Sequence, residues 1–140
     1  MSSGRIPVLK RISDSQQVLT AAADDVRGRK VIDRTGNEIG KVRDLLVDEG
    51  EHRVRFLLLE HGGFLGIGER KSYVPVEAVA DVTENRVHID RTGEQVADAP
   101  RYDPELVDWG EYYERVYSHY GYPPFWGPGY VYPPFPPHRP

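Results

Sequence analysis

The chain has 140 residues, no cysteine, 18 Lys and Arg against 22 Asp and Glu, and a formal net charge of −4. That length suits one domain with tails, and the missing cysteines exclude disulfides, thiolate zinc sites and cysteine nucleophiles and leave a cytoplasmic location unopposed. Acids and bases are interspersed, so no nucleic-acid partner is expected, and no apolar run approaches the ~18–20 residues of a membrane span.

Residues 1–18 are polar and broken by Gly4 and Pro7. Ile6, Val8, Leu9 and Ile12 are too few to define an element, and the segment lacks the apolar core of a signal peptide. A mobile N-terminal arm is predicted there, one that docks late if at all. Thr20 to Asp25 reads as a short capped turn leading into the core.

Strand signals follow. Arg29 to Asp33 is a first strand carried by Val31 and Ile32. Asp33-Arg34-Thr35-Gly36-Asn37 is a turn in which Gly36 or Asn37 takes positive φ. Glu38 to Asp48 is a second strand whose apolar phase slips, because Ile39 and Val42 are three apart whereas Leu45 and Val47 are two apart. Such a slip predicts a bulge near Gly40 or Lys41. For Asp44, just beyond it, a carboxylate accepting local backbone N–H groups is the simpler reading, and a site role the sharper one.

Asp48 to His52 closes a hairpin onto the most apolar run of the chain, Arg53 to His61. Val54, Phe56 and Leu58 point to one face of it, Leu57 and Leu59 to the other. A strand apolar on both faces is covered on both, so this one is expected at the centre, with Phe56 in the core. Gly62 to Arg70 is a glycine-rich hairpin in which Gly66 and Gly68 are structural. Lys71 to Val74 is the fourth strand, ended by Pro75, which has no N–H. Val76 to Val79 is a one-turn corner. Val82 and Arg86 to Asp90 form the last pairing. Ile32-Asp33-Arg34-Thr35-Gly36 recurs as Ile89-Asp90-Arg91-Thr92-Gly93, which reads as one strand-end turn chemistry used twice.

From Asp103 the period becomes helical. Leu106, Trp109, Tyr113, Val116, Tyr117 and Tyr120 share one face. Asp103-Pro104 and Asp108 with Glu111 are alternative starts, and Gly121 with Pro123 ends the helix. The stripe Trp109, Tyr113, Val116 and Tyr120, with Leu57 and Leu59, forms a candidate interaction surface that closes within one chain or across a homodimer.

Residues 122–140 hold eight of the twelve prolines, interleaved with aromatics, and Tyr-Pro-Pro-Phe occurs at Tyr122 and again at Tyr132. Such a segment favours polyproline II and is expected to be disordered. It is either an inert sticky tail or a docking peptide, with Pro133 and Pro136 giving P-x-x-P spacing.

No catalytic residue, cofactor site or metal site emerges. Gly66-Ile67-Gly68 is followed by Glu69 where a phosphate loop needs Lys. Glu60 and His61 are strand neighbours facing opposite ways, the other histidines lack ligand spacing, and Ser72 has no evident base.

The runs Val26 to Val31, Gly36 to Asp48, Gly63 to Lys71 and Tyr73 to Val79 together resemble the PRC-barrel family over residues 19–92. This is the small barrel shared by the photosynthetic reaction-centre H subunit and the C-terminal domain of the ribosome maturation factor RimM. The resemblance implies a small, strongly bent antiparallel β-barrel, here with a linker and C-terminal helix over 93–121 and the tail over 122–140. It implies protein association without a shared catalytic site. A non-catalytic assembly module, self-associating and with an unknown protein partner, is the expectation. A ribosome- or RNA-associated factor and an assembly role like that of the H subunit are the alternatives.

Overall fold

A computed structural model of the chain describes residues 9–11, 25–48, 53–62, 69–100, 109–133 and 135, with the backbone alone at Lys10, Gly62, Glu69, Arg70 and Trp109. Its elements are β1 (Leu9–Arg11), β2 (Lys30–Ile32), β3 (Glu38–Asp48), β4 (Val54–Gly62), β5 (Glu69–Pro75), β6 (Val79–Val82), β7 (Arg86–Ile89), α1 (Gly93–Ala97) and α2 (Trp109–Tyr120). A 3-10 turn over Val76–Ala78 makes the corner between β5 and β6. The predicted turn at Thr20, the glycines Gly66 and Gly68, and the alternative helix starts at Asp103 and Asp108 lie outside the described residues.

The strands form one sheet in the order β5-β4-β3-β2-β7-β6, and β1 also pairs with β3. Part of the predicted N-terminal arm is therefore a strand, with Leu9 opposite Asp48. Pairing is antiparallel except between β2 and β7, which run parallel with Val31 beside Val87. Among the described residues β5 and β6, at the two ends of the order, do not pair. The sheet is mixed and open, which corrects the expectation of a closed antiparallel barrel. Pro75 removes a donor at the end of β5, and both helices pack against that strand.

Three bulges bend the ladders of β3. Ile39 is the extra residue opposite β2, because Val31 faces Gly40 and Ile32 faces Glu38. Against β4, Arg43 is extra on β3 and Arg55 is extra on β4. An extra residue breaks the ladder and increases local twist, which curls the sheet and re-aims the side chains beside it. The slip read from the sequence thus corresponds to bulges on either side of Gly40 and Lys41. Gly40 itself has a steric reason to be glycine: a Cβ there would lie 2.2 Å from the Glu60 carbonyl oxygen.

Both faces of β4 are covered. Leu57 pairs with Leu45 and Val74, and Leu59 with Val42; all are 1 % exposed or less. On the opposite face Phe56 meets α2, with ring centroids 4.9 Å from Tyr117 and 5.5 Å from Tyr113. Tyr73 on β5 completes the cluster, 5.8 Å from Phe56. The helix therefore lies on the Phe56 face, and Leu57 and Leu59 are core residues instead of an association surface. Among the described residues no helix is long and apolar enough to cross a membrane.

The two Asp-Arg-Thr-Gly copies end neighbouring strands but use different chemistry. In the first, Asp33 Oδ1 accepts from Thr35 N (2.9 Å), Thr35 Oγ1 (2.7 Å) and Asn37 N (3.0 Å), and Gly36 takes φ +94. In the second, Thr92 caps α1 in a reciprocal box with Gln95. The copies lock together, since Asp33 Oδ2 accepts from Gly93 N at 2.8 Å and Arg34 pairs with Asp90 at 2.9 Å. Arg91 then donates to the Tyr120 carbonyl at the C-terminus of α2 (2.6 Å), where a cation also complements the helix dipole. Gly121 N bonds Ser118 O and Tyr122 N bonds Tyr117 O, the paired bonds of a Schellman end, with Gly121 at φ +85.

Phe56→Ala should cost about 3–5 kcal/mol in denaturant unfolding, because it empties the junction of sheet and helix. Gly40→Ala should destabilise by forcing β3 away from β4; an unchanged unfolding midpoint would contradict the close approach. Burial pushes the Asp33 carboxyl up, but the bonds from Thr35, Asn37 and Gly93 outweigh it and hold it below the usual carboxylate range. Its contribution is present above the unfolded value and is lost as pH falls through the lower folded one. Asp33→Ala should therefore cost about 1–3 kcal/mol at neutral pH, and the difference from wild type should shrink in acid.

Candidate interaction site

Arg55 is the bulged residue of β4, and the bulge aims it toward the end of the sheet where β3 finishes. Only 1 % of it is exposed. Its Nε donates to Asp48 Oδ2 at 2.7 Å, across the hairpin, and Asp48 is 3 % exposed. A desolvated ion pair is tolerable only if the rest of the charged groups' surface is also well packed.

The C-terminal segment supplies that packing. After Gly121 the chain turns back over the sheet, with Phe125, Trp126, Tyr132 and Phe135 against the core. The guanidinium carbon of Arg55 lies 4.0 Å from the Phe125 ring centroid, 5.2 Å from Tyr132 and 6.0 Å from Tyr130. Aromatic faces are partly negative, so they can surround a cation without water. Phe125 ends the first Tyr-Pro-Pro-Phe and Tyr132 begins the second, so the two copies converge on one guanidinium. The described tail is thus an ordered strap, which corrects the expectation of disorder: aromatic contacts to a buried cation offset the entropy that composition alone would leave in place.

Hydrogen bonds fix the strap at two more points. Tyr132 Oη donates to the Val54 carbonyl (3.1 Å), with Arg53 over the same ring at 4.5 Å. Tyr130 Oη donates to Glu77 Oε2 on the 3-10 corner. Gly129, beside Tyr130, takes φ +77, and Gly127 N closes a turn onto the Pro124 carbonyl. Burial pushes the Glu77 carboxyl up, and the bond from Tyr130 and the charge of Arg55 only partly oppose this.

The residues singled out from sequence divide clearly. Tyr113, Val116 and Tyr120 are buried, at 5 %, 0 % and 2 % exposure, so these three residues of the helix stripe pack within the chain. Pro133 is half-buried beside Tyr132. Pro136 and the side chain of Trp109 lie outside the described residues. Asp44 is buried and accepts from Leu45 N at 2.9 Å. Pro75 sits at the last β4 pair, opposite Phe56.

Ser72, read from sequence as lacking a base, has His61 Nε2 2.9 Å from its Oγ. The pairing arises because His61 and Ser72 are diagonal neighbours across β4 and β5. Ser72 is only 1 % exposed, so the pair ties two strands together and presents no accessible nucleophile. Among the described residues no group of three or more His, Asp or Glu side chains could hold a metal ion. An open cleft of about 490 Å3 lies elsewhere, lined by Asp25, Arg27, Gly28, Lys41, Val42 and Arg43, and Arg27 there is already paired with Asp25 at 2.6 Å.

Sequence reasoning missed Arg55. The available signal was a guanidinium set inside the most apolar run of the chain, with Asp48 across the hairpin. Arg55→Ala should cost about 3–5 kcal/mol, since it leaves Asp48 buried and alone. Arg55→Met with Asp48→Leu should recover most of that while leaving the strap loose, a state that limited proteolysis after Gly121 would detect. Because the Glu77 carboxyl is raised, the folded state binds its proton more tightly than the unfolded chain. Stability should fall as pH rises from the ordinary 4.5 through the higher folded value, and Glu77→Gln should flatten that dependence. A steeper dependence in the variant would contradict the assignment.

A family model described as PRC-barrel domain matches residues 20–96, more than half of the chain. No curated protein matches.

Proposed function

The chain belongs to the PRC-barrel domain family, and on that basis we propose that it is a non-catalytic protein-association module that works through the groove around Arg55. The observation that carries this reading is the groove's occupant. A proline- and aromatic-rich segment is held by a cation, a backbone carbonyl and a carboxylate, at Arg55, Val54 and Glu77. The groove thus takes aromatic faces and tyrosine hydroxyls from an extended segment whose prolines favour a pre-formed polyproline II shape and lower the entropic cost of docking.

Among the described residues the strap adds no strand to the sheet, and its hold rests on side-chain contacts and on single hydrogen bonds from Tyr130 and Tyr132. Side-chain contacts of this kind can be exchanged for the same contacts made by another chain. The occupant that fits best is the Tyr-Pro-Pro-Phe segment of a second copy, which makes the module self-associating by exchange of straps. Effective concentration favours the chain's own strap over a free one, so exchange is weak unless the strap is loosened.

A labelled peptide of residues 122–140 tests this. It should bind full-length protein weakly, bind a Phe125→Ala/Tyr132→Ala variant at least about tenfold more tightly, and fail to bind when the paired substitution Arg55→Met/Asp48→Leu is added. Sedimentation of the full-length chain should show a concentration-dependent dimer that the same substitution removes. If the peptide binds none of these proteins, the groove is a closed part of the fold and the association reading fails there.

A further inference from the structure

One row of charges crosses the sheet in register. Arg86 on β7 faces Lys30 on β2, Lys30 faces Lys41 on β3, Lys41 faces Glu60 on β4, and Glu60 faces Lys71 on β5. Directly paired residues point to the same face, about 4.8 Å apart from strand to strand. This is the face that carries Phe56 and Leu58, which precede Glu60 on β4. Arg86, Lys30 and Lys41 are all exposed.

The arrangement is unfavourable on its own terms. Like charges directly opposite on neighbouring strands destabilise a sheet, and here three cations stand side by side on β7, β2 and β3. Neutralisation is slight. Lys30 reaches Glu38 only at 3.7 Å with both side chains more than half exposed, and Glu60 is shared at 3.7 Å with Arg43. Among the described residues no ion pair involves Lys41, Lys71 or Arg86. A chain of net charge −4 could have placed acids in this row, yet it concentrates cations there.

We infer that this row is a docking surface for an acidic polypeptide segment. Charge complementarity selects the occupant: read from β7 to β5 the row is three cations, an acid and a cation. A polypeptide can answer that pattern with carboxylates and one basic residue, whereas a phosphate backbone would set uniform negative charge against Glu60 and the nearby Glu38. The row also contains no aromatic side chain on which bases could stack. The surface is separate from the strap groove and does not depend on it. Like-charge repulsion is relieved when carboxylates bind, so the stability given up in the free protein returns in the complex.

The test uses the full-length protein and a labelled oligoglutamate peptide, with fluorescence anisotropy across a salt series. Binding should be measurable at low salt and weaken steeply as salt rises. Replacing Lys30, Lys41 and Arg86 together by Gln should weaken binding by at least about tenfold and raise the melting temperature, since the repulsion goes with the charges. A triple variant that binds as wild type does, or that melts lower with no change in affinity, overturns the proposal. Tighter binding of single-stranded RNA of the same charge overturns it too, by assigning the row to nucleic acid. Replacing Arg115, exposed on α2 and outside the row, by Gln should leave peptide affinity unchanged; an equal loss there would show that net charge alone is being read.

Discussion

The desolvated charge of Arg55 is the constraint on which the ends of this molecule depend. A guanidinium removed from water is stable only when its ion partner and its packing are both supplied. Asp48 supplies the first from the adjacent strand. The second needs aromatic faces turned toward the guanidinium, and the chain brings them from Phe125, Tyr130 and Tyr132. The C-terminal composition, which looks like low complexity in isolation, is the complement of one buried cation.

The rest of the domain makes that position possible. β3 is long enough to pair with β1 and β2 along one edge and with β4 along the other. Its bulges curl the sheet so that Leu57 and Leu59 are enclosed on one face while Phe56 stays available to α2. The helix is clamped at both ends of its buried stripe: Tyr112 bonds the Pro100 carbonyl near its start, and Arg91 holds the Tyr120 carbonyl at its finish. A Schellman end then directs the chain back toward Arg55. Core, helix and strap are therefore consecutive consequences of one hairpin and its bulges.

What the sequence revealed follows from the range of the signals. Strands β2 to β7 and the helical stripe announce themselves by local periodicity, and Gly36 and Pro75 by turn chemistry. The five-residue helix α1 carried a readable sign, Thr92 with Gln95 three later, but is too short to show a period. The parallel pairing of β2 with β7 joins segments some fifty residues apart and leaves no local trace. Leu57 and Leu59 could be recognised as apolar on a second face, but not assigned to the interior, because that depends on how the sheet curls. The strap was opaque for a different reason: proline and tyrosine give the same composition whether a segment is solvated or laid on a cation. The charged row draws one residue from each of five strands, so the even spread of acids and bases along the chain concealed it.

The order in which these parts can form has its own consequence. Asp48 and Arg55 are seven residues apart and meet as soon as the β3–β4 hairpin closes, whereas Tyr132 reaches Val54 across 78 residues. Short loops close sooner and at lower entropic cost than long ones. In folding, the ion pair therefore needs only a short loop to close, whereas its aromatic cover needs the ordering of the whole intervening chain. Trp126, whose ring centroid lies 6.1 Å from that of Tyr117, is a reporter of this last step: in refolding of a Trp109→Phe variant, its fluorescence change should trail the signal of sheet formation.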